Sequence, residues 1–163
     1  MRRATTVSSF PAAASAFAKA SCPGKYYLLF YGEVAAVQAS LDAGALIGGK
    51  HVVDQCVIPR VHPQVIEAIG MANMPETTGA IGVMEFYSVT GGIQAADIAA
   101  KAAEITLIEV KIGYAIGGKG VVVLTGELEA VKTAIQSAAS QSDMMLQTSV
   151  VARPAPGLVE TLM

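Results

Sequence analysis

Two stretches of this chain repeat one another, and that repetition limits the folds open to it. Cys22 to Ala45 (CPGKYYLLFYGEVAAVQASLDAGA) lies over Ile116 to Ala139 (IGGKGVVVLTGELEAVKTAIQSAA) at an offset of 116 − 22 = 94. Gly24 and Lys25 fall on Gly118 and Lys119, Gly32 and Glu33 on Gly126 and Glu127, and Ala36 and Val37 on Ala130 and Val131. After Ala45 one residue is skipped and the offset becomes 93, so that Val57 meets Val150, Arg60 meets Arg153, Pro63 meets Pro156 and Glu67 meets Glu160. Self-similarity at a fixed period marks one supersecondary unit written more than once.

Each copy reads in the same physical order. After Gly-Lys comes a short apolar run, Tyr26 to Phe30 or Gly120 to Leu124, predicted to be a buried strand. The glycine that ends it is followed by Glu33 or Glu127, an acid where a helix N-terminus favours negative charge. Leu128, Val131 and Ile135 then recur at helical spacing, with Ala138 and Ala139 continuing the stripe. A last strand is predicted over His51 to Ile58 and over Met144 to Ala152, each closed by Arg-x-x-Pro. Upstream of the second copy, Gly79 to Ser88 and Ile105 to Ile112 read as strands and Gly91 to Ala103 as an Ala-rich helix.

The full unit is therefore strand–helix–strand–strand–helix–strand, the split βαβ plan. The expected fold class is α/β (α+β), as two tandem ferredoxin-like units. The first unit lacks a recognisable first strand and first helix: 36 residues (Ala80 to Ala115) precede Ile116 in the second, against 21 (Met1 to Ser21) before Cys22. The expected organisation is an irregular segment 1–21, a partial first domain 22–70, a linker 71–78 containing Pro75, and a complete second domain 79–163. A partial first unit should leave an open sheet edge and a less regular, less soluble assembly.

Composition sorts the function classes. The 163 residues are 53% hydrophobic and only 15% charged, with a mean hydropathy of +0.51. Either a membrane or extensive self-association would explain so few charges. A membrane span needs about 20 mostly apolar residues, and every apolar run here is broken sooner, so self-association is preferred. The net charge of −2 and the absence of a basic run beyond Arg2 and Arg3 speak against nucleic-acid binding. Two cysteines make no disulfide scaffold and fit no zinc spacing, which suits a reducing cytoplasm. The start, MRRATTVSSFPAAASAFAKA, faintly resembles an export signal, but Ser, Thr and Pro11 interrupt its apolar core.

With both halves laid out, the chain resembles the bacterial microcompartment shell-protein family over about Ser21 to Met163. IGVMEFYSVTGGIQAADIAAKAAEITLIEVKIG is similar to the opening of that domain and GGKGVVVLTGELEAVKTAIQSA to its middle. SVVARPAPGLVETL and CVIPRVHPQVIEAI are similar to its closing strand and tail. Two copies point to the tandem type, whose members form trimers shaped like pseudohexamers. Cys-Pro-Gly-Lys is most similar to the loop of the trimeric members from propanediol-utilisation compartments. The resemblance implies a homotrimer with a central pore, tiling with other shell proteins around encapsulated enzymes in the bacterial cytoplasm. It implies no enzymatic activity.

Residue by residue, the resemblance implies that Cys22, Pro23 and Gly24 alternate with Ile116, Gly117 and Gly118 around the pore. Lys101 matches the edge lysine that packs antiparallel to its counterpart in the neighbouring tile, and Arg60 and Arg153 match the edge arginine. His62 is read as an edge residue, with a plain solvated histidine as the alternative. For Cys22 the resemblance implies a [4Fe–4S] cluster shared by three protomers. One thiolate cannot hold a cluster that normally takes four, whereas a three-fold axis supplies three; the alternative is an ordinary free thiol. Cys56, beside Val57 and Ile58, reads as core packing.

Gly113-x-x-x-Gly117-Gly118-Lys119 lacks the spacing and the following Ser or Thr of a phosphate loop. No triad, paired-carboxylate or HExxH pattern is present. Two other classes stay open at this point: an iron–sulfur carrier in which assembly is secondary, and a PII-like trimer binding small molecules between subunits.

Overall fold

The computed structural model describes residues 15–75 and 78–162. Strand β1 (Ser15–Ser21) and strand β2 (Lys25–Tyr31) form an antiparallel hairpin, from Ser15 opposite Tyr31 to Ser21 opposite Lys25. Helix α1 (Val34–Gly48) follows, then a short 3₁₀ turn Gly49–His51 and helix α2 (Pro63–Gly70). The remainder is strand β3 (Ala80–Phe86), helix α3 (Val89–Ala102), strands β4 (Ile105–Ile112) and β5 (Gly120–Gly126), helix α4 (Leu128–Ala139), strand β6 (Met145–Val151) and a terminal helix α5 (Leu158–Leu162).

The C-terminal half forms the split βαβ unit the periodicities predict. Its sheet runs β4-β5-β3-β6, all neighbours antiparallel. α3 and α4 lie together on one face, over a core that includes Met84, Phe86, Leu107, Val110, Val122, Leu124, Val131 and Ala134. Ile81, Ile108 and Val123 point to the other face, where Val159 of α5 covers them. Close packing of helix on sheet depends on Gly82 in β3: a Cβ there would meet Ile135, Leu124 and Val131 methyls, each at 2.9 Å. Glu33 and Glu127 stand at the N-caps of α1 and α4, where the repeat places them.

The N-terminal half departs from expectation in three ways. The irregular segment expected over 1–21 is corrected for 15–21, which pair along their whole length with β2; residues 1–14, with Pro11, lie outside the described residues. The strand expected over His51 to Ile58 does not form: the 3₁₀ turn is followed by chain without a sheet partner. The reason is visible in the other half. Among the described residues β6, its counterpart, pairs only with β3, and those before Cys22 contain no counterpart of β3. A strand needs a neighbour to take its backbone hydrogen bonds, however β-branched its sequence.

The third departure is α2, where only a closing tail was expected. Pro63 occupies its first turn, where a missing N–H costs nothing. Val65 and Ala68 bury its inner face. α2 and the chain after it strap the outer edge of β4. The Gln64 side chain accepts from Leu107 N–H (2.8 Å) and donates to Ile105 O (3.3 Å), and Asn73 N–H donates to Ile108 O (2.7 Å). These bonds cover the open backbone groups of an edge strand. Among the described residues no helix is long and apolar enough to cross a membrane.

Candidate functional site: two adjoining loops and a charged corner

The turn of the β1–β2 hairpin is Cys22-Pro23-Gly24. Its Cys22–Pro23 peptide is cis, Gly24 has φ +91°, and Gly24 N–H donates to Ser21 O at 3.1 Å. The Cys22 side chain is exposed. The turn from β4 to β5 holds Ile116-Gly117-Gly118, with φ +67° at Gly117 and +72° at Gly118. It is closed by Gly118 N–H to Gly113 O (3.1 Å) and Gly113 N–H to Lys119 O (2.9 Å).

The structure brings these two turns, 94 residues apart in sequence, into contact. A Cβ on Gly118 would collide with the Cys22 carbonyl oxygen, and one on Gly113 with the Ser21 hydroxyl. Lys25 stitches the contact, its ammonium donating to Gly118 O (3.2 Å) and Tyr87 O (3.4 Å). Its counterpart Lys119 instead pairs with the Glu85 carboxylate at 2.7 Å, whose second oxygen accepts from Gln147 Nε2 at 3.0 Å. The Lys119 hydrogen bond, opposed by partial burial, holds the Glu85 carboxyl below the usual glutamate range.

A second cluster lies where the N-terminal half meets α3. Lys101 pairs with Asp97 one helical turn earlier, Nζ to Oδ2 2.5 Å, and donates to Pro59 O at 3.4 Å. The other Asp97 oxygen accepts the backbone N–H of His62 at 2.7 Å. Lys101, Arg60 and His62 are therefore brought to one corner, and Arg60 turns it with φ +50°. Among the described residues His62 Nδ1 is buried without a hydrogen-bond partner. Arg153 is exposed past the end of β6 and shares no hydrogen bond with this corner among the described residues. At the other end of α3, Ser88 caps the helix by accepting from Gly91 N–H (2.8 Å) and donates its hydroxyl to Asp54 (2.5 Å).

Cys56 belongs neither to a strand nor to the core. It is half-buried on the unpaired chain 52–58, and burial, then Asp54 and Asp97, push its thiol up to about 11. His51 is exposed on the 3₁₀ turn. No group of three or more His, Cys, Asp or Glu among the described residues is placed to hold a metal within one chain.

The model of the BMC domain matches residues 15–61 and 80–154. The chain belongs to the BMC-domain family. The bacterial microcompartment shell protein PduT of Citrobacter freundii is 37% identical over 139 residues, which are 83% of this chain and 76% of that one. A crystal structure of a microcompartments protein from Desulfitobacterium hafniense DCB superposes with a TM-score of 0.78 at 39% identity, covering 91% of this chain and 86% of that one. The protein is thus a structural microcompartment shell subunit rather than an enzyme, and BMC shell proteins act by assembling with one another.

Asp97 is the residue of this BMC chain that sequence reasoning passed over. Its signal was present, an acid four residues before a lysine on an Ala-rich helix. Its second contact, to His62 N–H across 35 residues, leaves no trace in local pattern.

Proposed function

We propose that the chain carries two BMC units in tandem and assembles as a trimer in which six such units surround a central pore. Cys22, Pro23 and Gly24 alternate around the rim with Ile116, Gly117 and Gly118. The contact of Gly118 with the Cys22 carbonyl supports this most directly, since it seats the two loops side by side within one chain. Trimers tile with one another and with other shell proteins around the enclosed enzymes, through edges carrying Lys101, Arg60, His62 and Arg153.

In the trimer three Cys22 thiolates would converge, and they are the residues that would hold a [4Fe–4S] cluster. The donor set fits only in this arrangement, because one chain offers an exposed single thiol there and, among the described residues, no group of three or more metal-binding side chains. When bound, such a cluster supplies one-electron transfer. The chain's own part is to keep the thiol at a turn tip, with Lys25 fixing that turn against its neighbour.

Sedimentation and electron microscopy test the tile: a chain that stays monomeric at high concentration and forms no sheets would refute it. Anaerobic purification tests the cluster. The expected result is a brown wild type and a colourless Cys22→Ser variant, both trimeric. A colourless, iron-free wild type removes the cluster and leaves the tile. A brown protein that never assembles favours a carrier instead.

A further inference from the structure

We propose that Asp97 is the counter-ion of the tile edge, a positioning residue that lets two Lys101 ammoniums meet across neighbouring tiles. The inference rests on the edge reading of Lys101 above. Asp97 is 5% exposed, and a carboxylate that deep persists only with its charge and lone pairs met. Both oxygens are engaged, one by Lys101 and one by His62 N–H. The Lys101 side chain is nonetheless 42% exposed, so its stem reaches solvent while its charge is already balanced within its own chain. The order of the pair, acid before base by four residues at the end of α3, suits both the i,i+4 geometry and the helix dipole.

The electrostatics follow directly. Bare ammoniums brought together by a two-fold edge contact repel over a range set by the salt. Two Lys101–Asp97 pairs laid antiparallel instead carry no net charge. The same carboxylate also fixes the backbone at His62, and with it the corner bearing Arg60. One group therefore sets edge residues drawn from both halves of the chain. Cys56, on which both Asp97 and Asp54 act, stays a neutral thiol at ordinary pH, and Asp54 is taken up by Ser88 at the other end of α3.

The test uses the full chain with Asp97→Asn, Lys101→Gln and the double variant, following trimer mass, melting temperature and the protein concentration at which sheets appear. Asn keeps an acceptor for His62 N–H, so Asp97→Asn should form trimers that melt close to wild type. At about 0.01 M salt, where screening extends ~30 Å, its sheet threshold should rise about tenfold; at about 1 M, with screening at ~3 Å, it should return towards wild type. Asp97→Glu, which keeps the charge, should restore low-salt assembly. In the Lys101→Gln background, Asp97→Asn should add nothing.

Asp97→Asn trimers that tile normally at low salt while Lys101→Gln trimers do not would overturn the counter-ion role and leave the edge intact. A defect equal at all salt concentrations, additive with Lys101→Gln, or already present as failure to form trimers would mark Asp97 as merely structural and overturn it too. Normal tiling by Lys101→Gln would sink the edge reading and this inference together.

Discussion

Helices α1 and α4 hold corresponding places in the repeat, yet only one of them has a floor. Val131, Ala134, Ile135 and Ala138 of α4 are buried. At the offset of 94, Val37, Ser40, Leu41 and Gly44 of α1 stand in their positions, and no residue of α1 is buried. The two faces differ modestly in sequence. They differ completely in what lies beneath: α4 rests on β3 and α3, and the described residues of the N-terminal half provide neither counterpart. Burial is a property of the surroundings as much as of the helix, and an apolar stripe states only which face would be covered.

The largest effect should appear on that stripe. Ile135→Ala removes a buried side chain from a packed site and should cost about 2–5 kcal/mol. Leu41→Ala, its counterpart, should cost less than about 1 kcal/mol. Urea unfolding of the two variants at low protein concentration reads the difference. Equal losses would show that α1 is covered in solution and would break the comparison.

The two turn glycines should differ less. Gly24 and Gly118 both hold positive φ, so alanine strains each by about 1–2 kcal/mol. Space decides between them. Among the described residues nothing lies within 4 Å of a Cβ on Gly24, whereas one on Gly118 meets the Cys22 carbonyl. Gly118→Ala should therefore melt lower than Gly24→Ala, by about a further 1–3 kcal/mol of destabilisation. Similar melting temperatures would mean that the two loops part easily.

The smallest difference concerns the paired lysines. Lys119 has a carboxylate partner and Lys25 has backbone carbonyls. Because Glu85 titrates below its usual value when folded, its contribution is complete above the unfolded value of about 4.3 and is lost as pH falls through the lower folded one. Glu85→Gln should flatten the acid limb of the stability profile by at most about 1 kcal/mol, the scale of a partly exposed pair. Lys25→Gln should leave the shape of that limb unchanged. An unaltered limb in Glu85→Gln would remove the distinction.

Much of the C-terminal half was legible because two periodicities alternate there without interruption. β4 was bounded at Ile105 and Ile112 from sequence alone, and β3, β5 and β6 to within a few residues. β1 was not, since SAFAKAS has no β-branched residue to announce a strand and owes its form to β2. Val52, Val53, Val57 and Ile58 misled in the opposite sense, a strand-like composition with no strand beside it. α2 left a usable signal in Pro63 followed by Val65, Ala68 and Ile69, hidden by the expectation of a tail. For the site, chemistry-bearing types could be picked out from sequence, but not their meeting. Nothing local relates Cys22 to Gly118 or His62 to Asp97.

Those meetings also bear on how the polypeptide could be cut. Lys25 to Gly118, Asp54 to Ser88, His62 to Asp97 and Asn73 to Ile108 all tie residues before Pro75 to residues after it. A chain nicked near Pro75 would therefore be held as a two-piece complex, and the piece ending there could be supplied separately. Expressed as two fragments, the halves should find one another by these same bonds, making the join a convenience of synthesis rather than a strut of the fold.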